Sequence, residues 1–233
     1  MIAAAGAPGP GSRAGAPGAG RGGFPARVVL ASGNAGKLAE VRAILGAHGV
    51  EVVAAGEVAP GWTVAETGTT FAANARRKAV DLAARTGEAA LADDSGLEVA
   101  ALGGRPGVRS ARYAGAGASD AANVARLLAE LRDVPDDRRA AAFRCVMVLA
   151  RPDGGTVSAE GRCDGTIARA PRGSGGFGYD PVFVDPASGR TFAELGAAEK
   201  NARSHRRRAL DALCARLAEA AGAAPGRPAR DET

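Results

Sequence analysis

The stretch "VVLASGNAGKLAE", Val28 to Glu40, constrains the fold more than any other part of the chain. Val28 to Ala31 is a β-like apolar run. Lys37 to Ala47 carries Leu38, Val41, Ile44 and Leu45 at helical spacing, with Asn34 placed to cap. Only a Gly-rich break separates the two, so a strand runs almost directly into a helix, as in α/β chains. The mixture continues downstream. Val50 to Ala54 reads as a second strand, and Thr70 to Arg85 as a helix closed by Gly87. Ala89 to Ala92 reads as a short strand ending at Asp93-Asp94-Ser95-Gly96. Ser119 to Arg132 is a helix with Val124, Leu127, Leu128 and Leu131 on one side. Ala140 to Ala150 and Thr156 to Gly165 read as strands joined by the turn "RPDGG". Arg206 to Ala221 is a closing helix with Leu210, Leu213, Cys214 and Leu217 facing the core. The expected class is α/β, a mixed sheet with helices around it.

At both ends this pattern stops. Residues 1–26 are Gly/Pro/Ala low complexity with few large side chains to offset the entropy of ordering, and they read as a disordered tail. Residues 222–233 read the same way, which leaves 27–221 as the folded domain. The first tail lacks the continuous apolar segment of a signal peptide, and no run approaches the ~18–20 apolar residues of a membrane span. Cys145, Cys163 and Cys214 have no metal-ligand spacing and fit buried thiols in a reducing cytoplasm. A net charge of +5 suits an anionic ligand, although an Arg-rich solvated surface is the simpler explanation and outweighs nucleic-acid binding. Six Phe, two Tyr and one Trp are too few for a nucleic-acid stacking platform, so neither nucleic acid nor membrane is expected as a partner.

Lysine is rationed. Of 30 Lys and Arg residues only Lys37, Lys78 and Lys200 are lysines, and each falls in a segment with other unusual features. The Ser32–Lys37 break is a strand, a Gly-rich turn and a helix start, which points N–H groups at an anion; a plain turn that uses Gly for φ > 0 explains it as well. In "AETGTTFAANARRKA", Glu66 precedes a helix on which Asn74 and Lys78 share a face. In "LADDSGLEV", Asp93 and Asp94 are costly neighbours unless a cation compensates, and Mg²⁺ typically takes one or two carboxylates; an Asx-turn is the competing explanation. "PRGSGGFGYDPVFV" surrounds Phe177 and Tyr179 with glycine, which suits a planar ligand. "EKNARSHRRRAL" places Lys200, Ser204, His205 and Arg206 at the start of the last helix, where a basic surface face would be the simpler reading.

In this order and at about this spacing, "SGNAGK", "ETGTTF", "ADDSGLEVAALGGRPGVRSARYAG", "GFGYDP" and "EKNARSHR" resemble the inosine triphosphate pyrophosphatase family, the non-canonical purine NTP pyrophosphatases or XTP/dITP diphosphatases. The resemblance covers about residues 27–220. It implies an elongated α/β fold of two lobes around a nucleotide cleft, a homodimer, and Mg²⁺-dependent hydrolysis of ITP, dITP or XTP to the monophosphate and pyrophosphate. It implies that Ser32, Gly33, Asn34, Ala35, Gly36 and Lys37 hold the triphosphate. Asp94 is implied as catalytic carboxylate and metal ligand, with Glu66 the other ligand, Asp93 and Lys78 in support, and Ser95 touching substrate. Phe177, Gly178, Tyr179 and Asp180 are implied to orient the base, with Lys200, His205 and Arg206 completing its pocket. Two features depart from the family pattern: the N-terminal tail, and Arg207, where the family often has Gly after the His-Arg pair.

Overall fold

The computed structural model describes residues 23–222. Its first strand, β1 (Arg27–Leu30), lies between β2 (Glu51–Ala54) and β3 (Ala90–Val99), parallel to both. β4 (Ala140–Ala150), β5 (Thr156–Ile167) and the short β6 (Phe183–Val184) continue antiparallel, giving one mixed six-stranded sheet in the order β2-β1-β3-β4-β5-β6. The long β4–β5 hairpin turns at Arg151–Gly155, as its Pro-Asp-Gly-Gly sequence requires.

Helices cover both faces. α1 (Ala35–Gly46) begins two residues earlier than the apolar periodicity suggests, because Asn34 caps it: its side chain accepts the Lys37 N–H at 2.9 Å. A single turn, α2 (Ala55–Val58), follows β2. α3 (Phe71–Thr86) is capped by Thr70 and closed by Gly87 at φ 68°, a conformation that favours glycine. α4 (Asp120–Glu130) is capped by Ser119. α5 (Ala197–Arg203) and α6 (His205–Gly222) close the chain, with α5 a helix that the sequence pattern did not predict.

Three apolar clusters follow from this layering. α1 and α6 pack through Val41, Leu45, Leu210 and Leu213 on one face of β1–β3–β4. α3 packs through Phe71, Ala75, Ala79 and Leu82 on the other. A third cluster lies toward the far ends of β3, β4 and β5, where α4 with its C-cap and β6 add Leu127, Leu131 and Phe183 to Leu97, Phe143 and Ile167. The molecule thus has two lobes that share the long strands.

Two boundaries are corrected. β3 does not stop at Ala92 but runs through Asp93-Asp94-Ser95-Gly96 to Val99, in register with β4 from Ala90↔Ala150 to Val99↔Ala141. Two carboxylates and a serine read as a strand end, yet β4 offers a full antiparallel partner and charged side chains from the helices meet the carboxylates. The tail expected over residues 1–26 also ends too late. Phe24 is fully buried among Val28, Leu45 and Leu217, and the Ala26 carbonyl accepts the Glu51 N–H at 2.8 Å. Residues 1–22 and 223–233, the rest of the two expected tails, lie outside the described residues. Among the described residues, no helix is long and apolar enough to cross a membrane.

Candidate active site

β1 pairs with β3 only through Val29 and Leu30, then ends. Beyond its carboxyl end β3 continues alone against β4, and the chain leaves β1 for α1 on the opposite side. This is the switch point of the parallel part of the sheet, where crevices form in open α/β sheets. A cavity of about 700 Å³ opens there, with lining residues that include Ser32, Gly33, Asn34, Lys37, Glu66, Lys78, Asp94, Ser95, Phe177, Gly178, Tyr179, Asp180, Lys200, His205 and Arg206. All three lysines of the chain are among them.

Side chains alternate across a strand, so Asp93 and Asp94 face opposite layers. Asp94 faces α3. Its Oδ2 accepts from Asn74 Nδ2 at 3.1 Å and its Oδ1 lies 3.4 Å from Lys78 Nζ, which also binds Glu66 Oε1 at 2.7 Å. Asn74, a poor helix-interior residue, is there for this contact and for the Gly68 N–H that its Oδ1 accepts at 2.8 Å, which fixes the loop carrying Glu66. Burial, with Glu66 adding to it, raises the Asp94 carboxyl above its ordinary value despite Lys78 and Asn74. Burial also opposes ionisation of Glu66, but Lys78 prevails and holds its pKa low.

Asp93 faces α1 and α6 and is fully buried. Its Oδ2 accepts from Lys37 Nζ at 3.0 Å, Arg206 Nη2 at 3.1 Å and Ser95 Oγ at 3.0 Å. Burial pushes this carboxyl up, but Lys37 and Arg206 more than offset it and hold the pKa well below the aspartate range. Asp93 lies beneath the cavity rather than on its wall. Arg206 continues to Glu40, Glu40 to Lys200 Nζ at 2.7 Å, and Lys200 to Asp180, whose Oδ2 accepts the Phe177 N–H at 2.8 Å.

Phe177 lies under Lys200, whose Nζ is 4.5 Å from the ring centroid, and against the first turn of α1, where a Cβ on Gly36 would meet the ring at 2.5 Å. Gly36 therefore serves close packing, and neither it nor Ala35 lines the cavity. Gly178 donates its N–H to Asp120 Oδ2 at 2.7 Å. Tyr179 is mostly core, its hydroxyl donating to the Ser110 carbonyl at 2.9 Å. His205 stacks on Phe143 at 4.8 Å, and its Nδ1 is buried with no partner. Burial, then Arg206 and Lys200, hold its pKa well below the usual histidine value, so the ring is neutral. Arg206 commits four N–H contacts to Asp93, Ser95 and Glu40, leaving one of its five donors. Arg207 points away and pairs with exposed Asp211.

The model of the Ham1 family matches residues 28–216. The chain belongs to the Ham1 family. A dITP/XTP pyrophosphatase of Geobacillus kaustophilus is 52% identical over 186 residues, which are 80% of this chain and 91% of that protein. One from Mycobacterium tuberculosis is 54% identical over 190 residues, 80% and 93% of the two chains. The structure of the Staphylococcus aureus Ham1 protein superposes with a TM-score of 0.74 at 41% identity, covering 83% of this chain and 99% of that one. These relatives bear out the resemblance read from the motifs.

Sequence reasoning missed some residues in and beneath this cavity. Glu40 stands three residues after Lys37 on α1, a spacing that signals one helix face. Ser110, Asn123 and Phe143 line the cavity itself; Ser110 lies within the long "DDSGLEVAALGGRPGVRSARYAG" block without standing out in it, and Asn123 and Phe143 lie outside every motif. Among the described residues, no group of three or more His, Cys, Asp and Glu is arranged as metal ligands. Glu66 and Asp94 still fit a hard divalent cation. They are two carboxylates compensated by one ammonium in a cavity, and Mg²⁺ completes its shell from water and substrate phosphates.

Proposed function

We propose that the protein hydrolyses ITP, dITP and XTP between the α and β phosphates, releasing the monophosphate and pyrophosphate, and so clears non-canonical purines from the nucleotide pool. One observation carries the reading: every lysine of an arginine-rich chain lines a single cavity, beside two carboxylates and the start of a helix.

Phosphoryl cleavage of this kind demands positioning and charge neutralisation more than covalent help. The Ser32–Asn34 turn lines the cavity at the start of α1, where the helix dipole favours an anion. Lys37 and Lys78 add point charges. Asp94, held by Asn74 and Lys78, would orient the attacking water and accept its proton. Magnesium, held by Glu66 and Asp94, would neutralise phosphate charge and acidify a water. Phe177, which lines the cavity between Gly36 and Lys200, is the ring assigned to the base. Neutral His205, the remaining Arg206 donor and backbone N–H groups suit the 6-keto acceptor of hypoxanthine or xanthine. The 6-amino group of ATP would meet donor with donor, and sites built this way discriminate by on the order of 10⁴-fold. The family resemblance supports a cytoplasmic homodimer.

The test is to incubate the pure protein with Mg²⁺ and ITP, dITP, XTP, GTP or ATP and to assay pyrophosphate. Release from the first three, well above ATP, is expected. Release of inorganic phosphate alone, or equal turnover of all five, would overturn the reading.

A further inference from the structure

Asp93 lies beneath the cavity, yet it joins the two ends. Its single oxygen Oδ2 receives Lys37, which stands at the phosphate end on the first turn of α1, and Arg206, which stands at the base end. The other oxygen, Oδ1, is buried without a hydrogen-bond partner, so no second acceptor shares the load. From Arg206 the alternation of charge continues through Glu40, Lys200 and Asp180 to the Phe177 N–H. Every link as far as Asp180 is a direct contact between side chains that are buried or nearly so, and the last is to a backbone N–H.

Three donors converge on that oxygen: the Lys37 ammonium, the Arg206 guanidinium and the Ser95 hydroxyl. Donors crowding one acceptor compete, since each partly satisfies its charge and repels the other cation. An anion arriving at the α1 start draws the Lys37 ammonium toward itself. Asp93 is then left to Arg206 and Ser95, and the guanidinium is held more firmly beside Phe177, 5.8 Å from the ring centroid.

We propose that Asp93 is a positioning residue that couples the two ends of the site, so that occupancy of the phosphate end strengthens binding at the base end. This rests on the nucleotide reading given above. It adds that the base pocket is completed only when phosphates are present, which would favour triphosphates over free nucleosides beyond their own charge contacts.

The coupling can be measured without turnover by using the two ends separately. Inosine is uncharged and carries no phosphate, and pyrophosphate carries no base, so neither attracts nor repels the other directly to any large extent. Inosine is titrated by calorimetry with and without saturating pyrophosphate. Inosine affinity in the parent protein should rise about fivefold, near the low end of measured couplings between sites. In Asp93→Asn the rise should fall below about twofold, since the charge for which the cations compete is gone. Lys37→Gln serves as a second variant that keeps the Asp93 carboxylate and its Arg206 partner and removes only the competing ammonium. It should bind inosine, without pyrophosphate, as tightly as the parent does with it, because Lys37 no longer competes for Asp93. A purely structural Asp93 would leave that variant's inosine affinity unchanged.

Parent protein that binds both ligands without coupling overturns the proposal and leaves the function standing. Coupling retained in Asp93→Asn also overturns it, and moves the connection to the Gly36–Phe177 contact. Failure of the parent to bind either ligand sinks the nucleotide reading and this proposal together.

Discussion

Asp93 and Asp94 are adjacent in sequence and chemically identical, but the pleat of β3 sends them to different charge environments. On the α1/α6 side, Lys37, Asp93, Arg206, Glu40, Lys200 and Asp180 alternate as three cations and three anions. On the α3 side, Glu66 and Asp94 share Lys78, while Arg112 reaches only the outer oxygen of Glu66 at 3.7 Å. Two cations on one oxygen hold the Asp93 pKa down against burial, whereas burial with Glu66 outweighs Lys78 and raises that of Asp94. A buried carboxylate with enough cations serves the fold. One with too few waits for charge from a ligand, and perturbed groups in clefts point to function for this reason. The two aspartates therefore differ in ways that substitution can separate.

The largest effect is expected from Asp94→Asn. Asparagine keeps the shape and the Asn74 contact but loses the charge that the roles proposed for Asp94 require. The rate of ITP hydrolysis should fall about 10³-fold or more, within the range of a lost general base plus a lost ligand, while circular dichroism stays native. Near-normal turnover would erase the distinction between the two residues. Chelation of divalent ions should reduce the parent to the same level, with recovery on adding Mg²⁺. Activity that survives chelation would remove the metal from the α3-side cluster.

Asp93→Asn should instead act on stability. It leaves the fully buried Arg206 guanidinium and Lys37 short of a counter-charge, and breaking buried pairs from one side costs about 3–5 kcal/mol. Urea unfolding measures this directly. The pH dependence follows from the lowered pKa. The contribution of Asp93 is complete above the unfolded aspartate value and is lost as pH falls through the lower folded one. Parent and variant should therefore converge in stability only in strong acid. Equal stability at neutral pH would show that the alternating chain is not structural.

The sequence makes most of the fold and much of the site legible, for physical reasons that can be named. Asn34, Thr70, Gly87 and Ser119 carry capping chemistry that is local, so their helices are placed within about two residues. The interior of β3 is not legible locally. Asp-Asp-Ser-Gly has turn chemistry, and only the pairing with β4 and the cations from α1, α3 and α6 keep it extended. Phe24 was hidden by its Gly/Pro/Ala surroundings, because one aromatic in a low-complexity run gives no period. The site's lysines stood out through composition, whereas Glu40 did not, since a glutamate on an amphipathic helix looks like a solvated one. Its burial depends on Arg206, 166 residues away.

The lysines sharpen the comparison from the cationic side. Lys78 and Lys200 each bind two carboxylates in buried positions, with side-chain exposures of 9% and 7%, and Lys37 binds one at 17%. An ammonium fits between two carboxylates as a point charge. A guanidinium is larger, planar and suited to bidentate pairing. Lys37→Arg, Lys78→Arg and Lys200→Arg should each lower kcat/KM for ITP at least about tenfold, roughly 1.4 kcal/mol. The two buried positions should lose more than Lys37. Three variants that match the parent would show that charge alone is required and that the rationing of lysine carries no information about the site.

The smallest effect, and the one most particular to the contrast, concerns the stability of Asp94→Asn. Because burial and Glu66 raise the folded pKa of Asp94, the folded state favours its protonated form. That preference contributes stability below the unfolded aspartate pKa and is lost as pH rises through the higher folded value. Near neutral pH the ionised Asp94 is thus a cost carried by the fold. Asparagine removes it, keeps the hydrogen bond to Asn74, and leaves Lys78 paired with Glu66. The melting temperature of Asp94→Asn at neutral pH, measured without divalent ions, should therefore equal or exceed that of the parent, even as activity collapses. Such opposition of stability and activity is expected where a site keeps a charge that the fold alone would discard. Adding Mg²⁺ should raise the melting temperature of the parent and not of the variant, since only the parent keeps both carboxylates. A variant that melts well below the parent in both conditions would place Asp94 with Asp93 among the groups that hold the protein together.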